Sequence, residues 1–292
     1  MDGLASLDIW ALAAIVAKAA EYAAVLLAVG GALFVATFRA APGAAVALAR
    51  RLAVIAALAT LALLALRFGI RAGRISGMGP AGAVDPMMLG LIWDSPLGNA
   101  AMLRITGAAL ILGLCVDGAL GRAAGLLGAV MLALSYTLVG HALGEPRVWL
   151  AGLLAVHLLA VAFWVGALAP LHAATALPQG AALLHRFGVI ASFIVAALVL
   201  VGLVFAWLMI GSVGGLIGTA YGLTFLAKLG AVTALMGLAA GNKLRRVPAL
   251  AAGDAGAAMG LRRAIRLEGV AVALILLATA TMTSVTTPPV NL

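Results

Sequence analysis

Long apolar runs recur along almost the whole chain, and they constrain its fold more than any other feature. A membrane-spanning helix needs about 20 mainly apolar residues, and eight stretches of the sequence reach this length. We predict spans at 9–37, 50–70, 98–120, 123–143, 148–171, 187–210, 221–241 and 265–287. The sequence therefore predicts an all-α polytopic membrane protein, with one bundle of eight transmembrane helices that forms a single domain over residues 1–292.

The composition fits a chain whose surface faces lipid rather than water. Hydrophobic residues make up 65% of the 292 residues and charged residues only 9%, whereas about 25% of a soluble domain is charged. The 36 glycines suit helices that approach each other closely in a bilayer. The net charge of +9 comes mainly from Lys and Arg between apolar runs, where such residues set topology. We therefore expect the lipid bilayer, and no nucleic acid, as a partner.

The Lys and Arg residues of the predicted connections favour one orientation. Eleven of them fall on one side of the membrane, and only Arg67, Arg71, Arg74 and Arg147 fall on the other. Basic residues are enriched on the cytoplasmic side, so we expect both termini to face outward. The basic cluster at 67–74 fits this orientation least well.

The four histidines are the first candidate metal ligands, and all lie between residues 141 and 185. We expect His141 and His157 in the outer half of two consecutive antiparallel spans, where their rings can meet. Imidazole binds copper, zinc, iron and haem. The alternative is that each ring hydrogen-bonds to a neighbouring helix or carbonyl. His172 and His185 flank the predicted cytoplasmic connection between spans five and six.

Methionine is the second candidate ligand. Met78, Met87 and Met88 lie in the outward connection 71–97, whose Gly and Pro interrupt regular structure. Its segment MMLGLIW is apolar enough to lie on or dip into the bilayer. Thioether sulfur is soft and selects Cu(I), although methionine also serves as apolar filler. Three methionines in one connection favour a role in binding.

Charged residues inside apolar runs are costly and mark candidate functional positions. Lys18 and Glu21 lie three residues apart on the first predicted span, so they share a helix face and can neutralise each other. Glu21 falls near the middle of the membrane, where a carboxylate also suits a proton or cation step.

Three further charges are expected to have structural roles. Arg104 and Lys228 fall in the outer parts of their spans, from which long basic side chains reach the interface. Glu268 falls near the inner end of the last span, and we expect it beside Arg266 and Lys243.

Trp164 follows His157 by seven residues, about two helical turns, so the two side chains share one helix face. Gly166 and Pro170 are then expected to thin the helix and end it. A packing motif is the alternative. The sequence contains no Walker loop, no G-x-S-x-G and no H-E-x-x-H motif, so we expect neither ATP-driven transport nor an enzyme.

Several segments resemble the bacterial copper-resistance D (CopD-like) family. VHLLAVAFWVGALAPL at 156–171 is similar to the family's signature helix, in which a His precedes a Trp-x-Gly-x-Leu-x-Pro-Leu ending. GHA at 140–142 resembles the end of the preceding helix. The resemblance continues at 186–229, at NKLR (242–245), at RRAIRLEGV (262–270) and at TTPP (286–289). It is strongest over about 140–290, and the first 120 residues agree mainly in hydropathy.

The resemblance implies eight spans in the bacterial inner membrane and copper movement between periplasm and cytoplasm. It also implies a periplasmic copper-binding partner similar to the copper-resistance C protein (CopC-like). His141 and His157 match family histidines, and Trp164 matches the family tryptophan. The two other histidines and the three methionines match no family motif, so they are candidates on their chemistry alone.

We therefore expect an inner-membrane copper transport or copper homeostasis protein with both termini in the periplasm. The methionines would collect copper, as Cu(I) rather than Cu(II), and His141 and His157 would form the site. Glu21 would balance charge or move a proton, and His172 and His185 would lie at the inner exit. Two alternatives remain: a membrane haem-binding electron-transfer protein with His axial ligands, and a scaffold in which every histidine is structural.

Overall fold

The computed structural model describes residues 8–140, 147–210 and 212–286. Within these residues the chain forms the α-helices α1 (Ile9–Thr37), α2 (Gly43–Ser76), α3 (Pro80–Ala83), α4 (Pro86–Trp93), α5 (Pro96–Leu112), α6 (Ala119–Ser135), α7 (Arg147–Ala174), α8 (Gly180–Ile210), α9 (Val213–Gly218), α10 (Ala220–Gly241), α11 (Val247–Ala252) and α12 (Ala257–Val285). A π-helix at Asn242–Arg246 joins α10 to α11. Eight helical segments are long and apolar enough to cross a membrane, which confirms the predicted all-α, eight-span fold.

The helix bounds differ from the predicted spans where helices extend beyond the apolar runs. α2 continues to Ser76, so the basic cluster at 67–74 lies in a helix and not in a connection. The third span ends at Cys115 rather than at 120, because Gly118 turns the chain at φ +96°. The prediction that Pro170 ends its helix is wrong, since α7 continues to Ala174. Membrane helices tolerate proline where neighbouring groups satisfy the freed carbonyl.

Polar side chains cap the first turns of α1, α4 and α5. Asp8 accepts a hydrogen bond from the N–H of Ala11, at the start of α1. Asp85 and Ser95 cap α4 and α5, and each precedes a proline at the first helical position, where proline is favoured. The segment MMLGLIW is therefore a short helix, α4, with an exposed Trp93.

α1 is the central helix of the bundle and packs against α2, α6, α7 and α12. Its contact with α7 depends on two facing glycines. A Cβ atom on Gly166 would lie 2.2 Å from the carbonyl carbon of Gly30, and one on Gly30 would lie 1.8 Å from the carbonyl oxygen of Ala162. Small residues of this kind let helix backbones touch inside a membrane.

The two ends of the described chain lie on one side of the bundle. Ala11 and Ile15, near the start of α1, pack in one cluster with Ala280 and Val285, at the end of α12. We call this the terminal side and its counterpart the opposite side. That the terminal side faces the periplasm stays a prediction.

Candidate functional site

Glu21 is fully buried in the middle of α1, and its partners are two arginines. Its Oε1 accepts a hydrogen bond of 3.1 Å from Nη1 of Arg104, and its Oε2 pairs with Arg67. The prediction that Lys18 neutralises Glu21 is wrong. The ammonium group of Lys18 instead donates a 2.7 Å hydrogen bond to the carbonyl oxygen of Thr283, on α12.

Arg104 is buried, and three neighbours hold its guanidinium group. Besides the bond to Glu21, its Nε donates a 3.0 Å hydrogen bond to Oγ of Ser135, and its guanidinium carbon lies 4.1 Å from the ring centre of Tyr136. The prediction that Arg104 reaches the interface is therefore wrong, because a carboxylate inside the bundle binds it. We call these residues, with Arg67, the Glu21 cluster.

The pairing of Arg67 with Glu21 explains why the 67–74 segment fitted the expected orientation poorly. A half-buried arginine that neutralises a carboxylate within a span is not a charge of a connecting loop. The orientation rule counts basic residues outside the spans, so Arg67 drops out of that count. The orientation itself stays a prediction.

A second buried polar cluster lies toward the opposite side, around Glu268. This side chain on α12 is only 4% exposed. Its Oε1 accepts a 2.6 Å hydrogen bond from Nδ2 of Asn242, and its Oε2 accepts a 3.3 Å bond from the indole Nε1 of Trp164. Nη1 of Arg246 donates in turn to Oδ1 of Asn242 at 3.0 Å. We call these four residues the Glu268 cluster.

The expected neighbours of Glu268 do not pair with it. Lys243 donates to the hydroxyl of Ser192 on α8. The ion pairs found within residues 8–140, 147–210 and 212–286 involve Glu21 and Asp117 and not Glu268 or Arg266. Among the described residues, the hydrogen bonds to this buried carboxylate therefore come from neutral N–H donors.

Three of the segments that carry the family resemblance meet in the Glu268 cluster. Trp164 comes from 156–171, Asn242 from 242–245 and Glu268 from 262–270. Asn242 is also the first residue of the π-helix, and π-helical turns often occur at functional sites. Sequence reasoning missed Asn242, although its position in one of the resembling segments was a usable signal.

The structure describes three of the four histidines, and it does not bring them together. His141 lies outside the described residues. His157 and His172 lie on α7, fifteen residues and thus about 22 Å apart, and His185 is exposed on α8. No group of three or more His, Cys, Asp or Glu able to hold a metal occurs in the part of the chain that the structure covers.

His157 has an unusual ring environment. Its Nδ1 is buried and makes no hydrogen bond within the described part of the chain. The ammonium group of Lys228, on α10, is the charged group that acts on it electrostatically. A buried ring nitrogen without a partner is a free donor atom for a metal ion.

The three candidate methionines lie at the terminal side. Met78 lies between Gly77 and Gly79, which both have positive φ, and its side chain is exposed. Met87 and Met88 lie in the first turn of α4, where Met87 is exposed and Met88 is half-buried. Their role as copper ligands stays a prediction.

These features define a multi-pass helical membrane protein with two buried polar clusters inside its bundle. Two protein-family models match the chain: the N-terminal domain of copper resistance protein D-like proteins, over residues 6–148, and copper resistance protein D, over residues 181–282. No curated protein and no solved structure shows a significant match to the chain.

The chain therefore belongs to the copper resistance protein D family, and its function is a copper-related one at a membrane. The match also reaches the N-terminal half, where the sequence resemblance consisted mainly of hydropathy. The Glu21 cluster lies within the first match. Asn242, Arg246 and Glu268 lie within the second, whereas Trp164 lies between the two matches.

Proposed function

We propose that this protein carries copper ions across the bacterial inner membrane. Its family membership supports a copper-related role in a membrane. The structural observation that carries the proposal is the buried Nδ1 of His157, which has no hydrogen-bond partner among the described residues. A neutral imidazole with a free ring nitrogen is a ready ligand for copper.

In this proposal copper enters at the terminal side, which would face the periplasm, and is delivered by a CopC-like carrier. The exposed thioethers of Met78 and Met87 receive it as Cu(I), because soft sulfur favours that oxidation state. It then passes to His157, with His141 as the second ligand. His172 and His185 would serve the exit on the opposite side. With no nucleotide-binding motif in the sequence, the driving force is a copper gradient or a coupled ion.

Copper binding by variants of purified protein tests the site. We expect His157→Ala to lose the tightest Cu(I) binding when detergent-purified protein is titrated against a competing Cu(I) chelator. Phe193→Ala is the control, because it removes an aromatic ring that has no metal-binding atom from an exposed position. Unchanged stoichiometry and affinity in His157→Ala would contradict the assignment.

Copper flux into proteoliposomes tests transport itself. A copper-sensitive dye trapped inside the vesicles should report faster entry with the wild-type protein than with empty vesicles, and His157→Ala should abolish the difference. Equal entry into protein-containing and empty vesicles would refute transport. A Soret absorption band in the same purified protein would instead support the haem-binding alternative.

A further inference from the structure

Glu21 and Glu268, the buried carboxylates of the described residues, differ in the charge that surrounds them. Glu21 contacts two guanidinium groups, so its negative charge is compensated within the cluster. Within the part of the chain that the structure describes, Glu268 accepts hydrogen bonds only from the neutral N–H groups of Trp164 and Asn242. Burying a carboxylate without a paired cation is costly, and a bound proton removes that cost. Glu268 is therefore the better placed of the two to gain and lose a proton.

The charged groups of the neighbouring elements do not alter this contrast. On the π-helix, Arg246 is occupied by Asn242 and Lys243 by Ser192. On α12 itself, Nε of Arg262 donates to the hydroxyl of Thr175, and Arg263 and Arg266 are exposed.

Among the described residues of the other elements that pack against α12, the charged groups lie far along their helices. On α10, Lys228 comes fourteen residues before Asn242, about 21 Å along the axis. α7 carries His172 eight residues beyond Trp164, about 12 Å along the helix. α1 has no charged residue between Glu21 and its end at Thr37, and α11 contains none. Arg246 is connected to Glu268 through the amide of Asn242 and forms no ion pair with it among the described residues.

We propose that Glu268 carries a proton in the transport cycle, and that Asn242 and Trp164 are positioning residues that respond to its charge. This inference rests on the proposed copper transport and names the ion coupled to it. A proton from water on the opposite side binds one carboxylate oxygen of Glu268 and leaves the same group later in the cycle. No other bond is made or broken.

The amide of Asn242 can transmit the protonation state to Arg246. With Glu268 ionised, Nδ2 of Asn242 donates to the carboxylate and Oδ1 accepts from Arg246. A protonated Glu268 has an O–H that needs an acceptor, and rotation of the amide presents Oδ1 to it. The rotation turns Nδ2 toward Arg246, which is itself a donor, so Arg246 is released from the cluster.

The indole of Trp164 can transmit the same change to α7. Its bond to the carboxylate is charge-assisted, and such bonds are about twice as strong as neutral ones. Protonation of Glu268 therefore loosens the tie between α12 and α7. His157 lies seven residues from Trp164 on the same face, about 10 Å along the axis. Six residues beyond Trp164, Pro170 has no backbone N–H to donate within α7, and helices bend at such points.

Two measurements of copper flux in proteoliposomes distinguish copper transport itself from its coupling to protons. One is exchange of isotopic copper at equal concentrations on both sides, and the other is net accumulation driven by an imposed pH gradient. Glu268→Gln, which is isosteric and permanently neutral, should keep exchange and lose gradient-driven accumulation. Asp117→Asn is the matched control at an exposed carboxylate and should keep both. Gradient-driven accumulation by Glu268→Gln at the wild-type level would overturn the proposal.

Infrared difference spectra of the purified protein test the proton site without transport. The change from acidic to alkaline buffer should remove the carboxylic-acid C=O band of Glu268 in wild type and in Asp117→Asn. Glu268→Asp should shift the frequency of that band, and Glu268→Gln should lack it. A band that persists in Glu268→Gln would overturn the assignment. Wild-type protein that shows the band but moves no copper would overturn the proposed function and the coupling, while it supports the proton site. The Asp variant keeps the test decisive if Glu268→Gln fails to fold.

Discussion

A methyl group at position 166 should force apart two helices that now touch. The Cβ of Gly166→Ala would lie 2.2 Å from the carbonyl carbon of Gly30 and 2.6 Å from the backbone nitrogen of Gly31. Backbone atoms cannot rotate away, and non-bonded carbons prefer a separation of about 3.5–4 Å. α1 and α7 must therefore separate locally by more than an ångström.

The loss of stability that this separation causes can be taken from the measured effect of adding methyl groups to packed cores. Extra methyl groups in a packed core cost about 1–3 kcal/mol, and alanine recovers up to about 1 kcal/mol through its higher helix propensity. Gly152→Ala is the control, because Gly152 lies on the same helix with no atom within 4 Å of its added Cβ. The stability difference between the two variants isolates the steric term, about 1–3 kcal/mol.

Unfolding of detergent-solubilised protein in rising proportions of sodium dodecyl sulfate measures this difference, with tryptophan fluorescence as the signal. Trp164 lies two residues from the altered position and should report the transition. We expect Gly166→Ala to unfold at a clearly lower denaturant fraction than Gly152→Ala. Coincident transitions of the two variants would refute the close contact between α1 and α7.

Three further predictions concern Glu21, Asp117 and the two exposed methionines. Glu21→Gln should destabilise the protein by about 3–5 kcal/mol in the same unfolding assay, because it leaves buried guanidinium charge without a partner. Addition of Arg104→Gln should recover part of this loss. If the effects of the two substitutions were strictly additive, that result would contradict a direct pairing of Glu21 with Arg104. Asp117→Asn should change stability by at most about 1 kcal/mol, since its ion pair is solvent-exposed, and a larger loss would mean that this pair is shielded. Met78→Leu with Met87→Leu should slow Cu(I) uptake at low copper without altering the unfolding transition, and unchanged uptake would remove the methionines from the pathway.

The fold was largely predictable because its main signal is local. Length and hydropathy of the apolar runs identify the spans, and for α1 the predicted bounds 9–37 agree with the structure. Errors arose where helices extend into polar sequence, as in α2, or where proline is tolerated, as at Pro170. Both cases depend on neighbouring helices, which hydropathy does not describe.

The polar clusters were not predictable, because their partners are distant in sequence. Helical spacing indicated Lys18 as the partner of Glu21, three residues away, whereas one of its two arginine partners, Arg104, lies 83 residues away. Likewise Glu268 bonds to Trp164 across 104 residues. A single sequence indicates which charges are buried in a span, but the choice among possible partners depends on how the helices cross.

Because the first and last spans pack side by side, one measurement can assign every loop of the protein to a side of the membrane. An even number of crossings places residues 8 and 286 in one compartment, so a reporter fused after the last span identifies the compartment of both. By alternation that single answer assigns every connection between the spans. If a reporter that is active only in the cytoplasm gave a signal, both termini would be cytoplasmic and the orientation would be the reverse of the predicted one. Met78 and Met87 would then meet copper that leaves the cytosol rather than copper that arrives from outside.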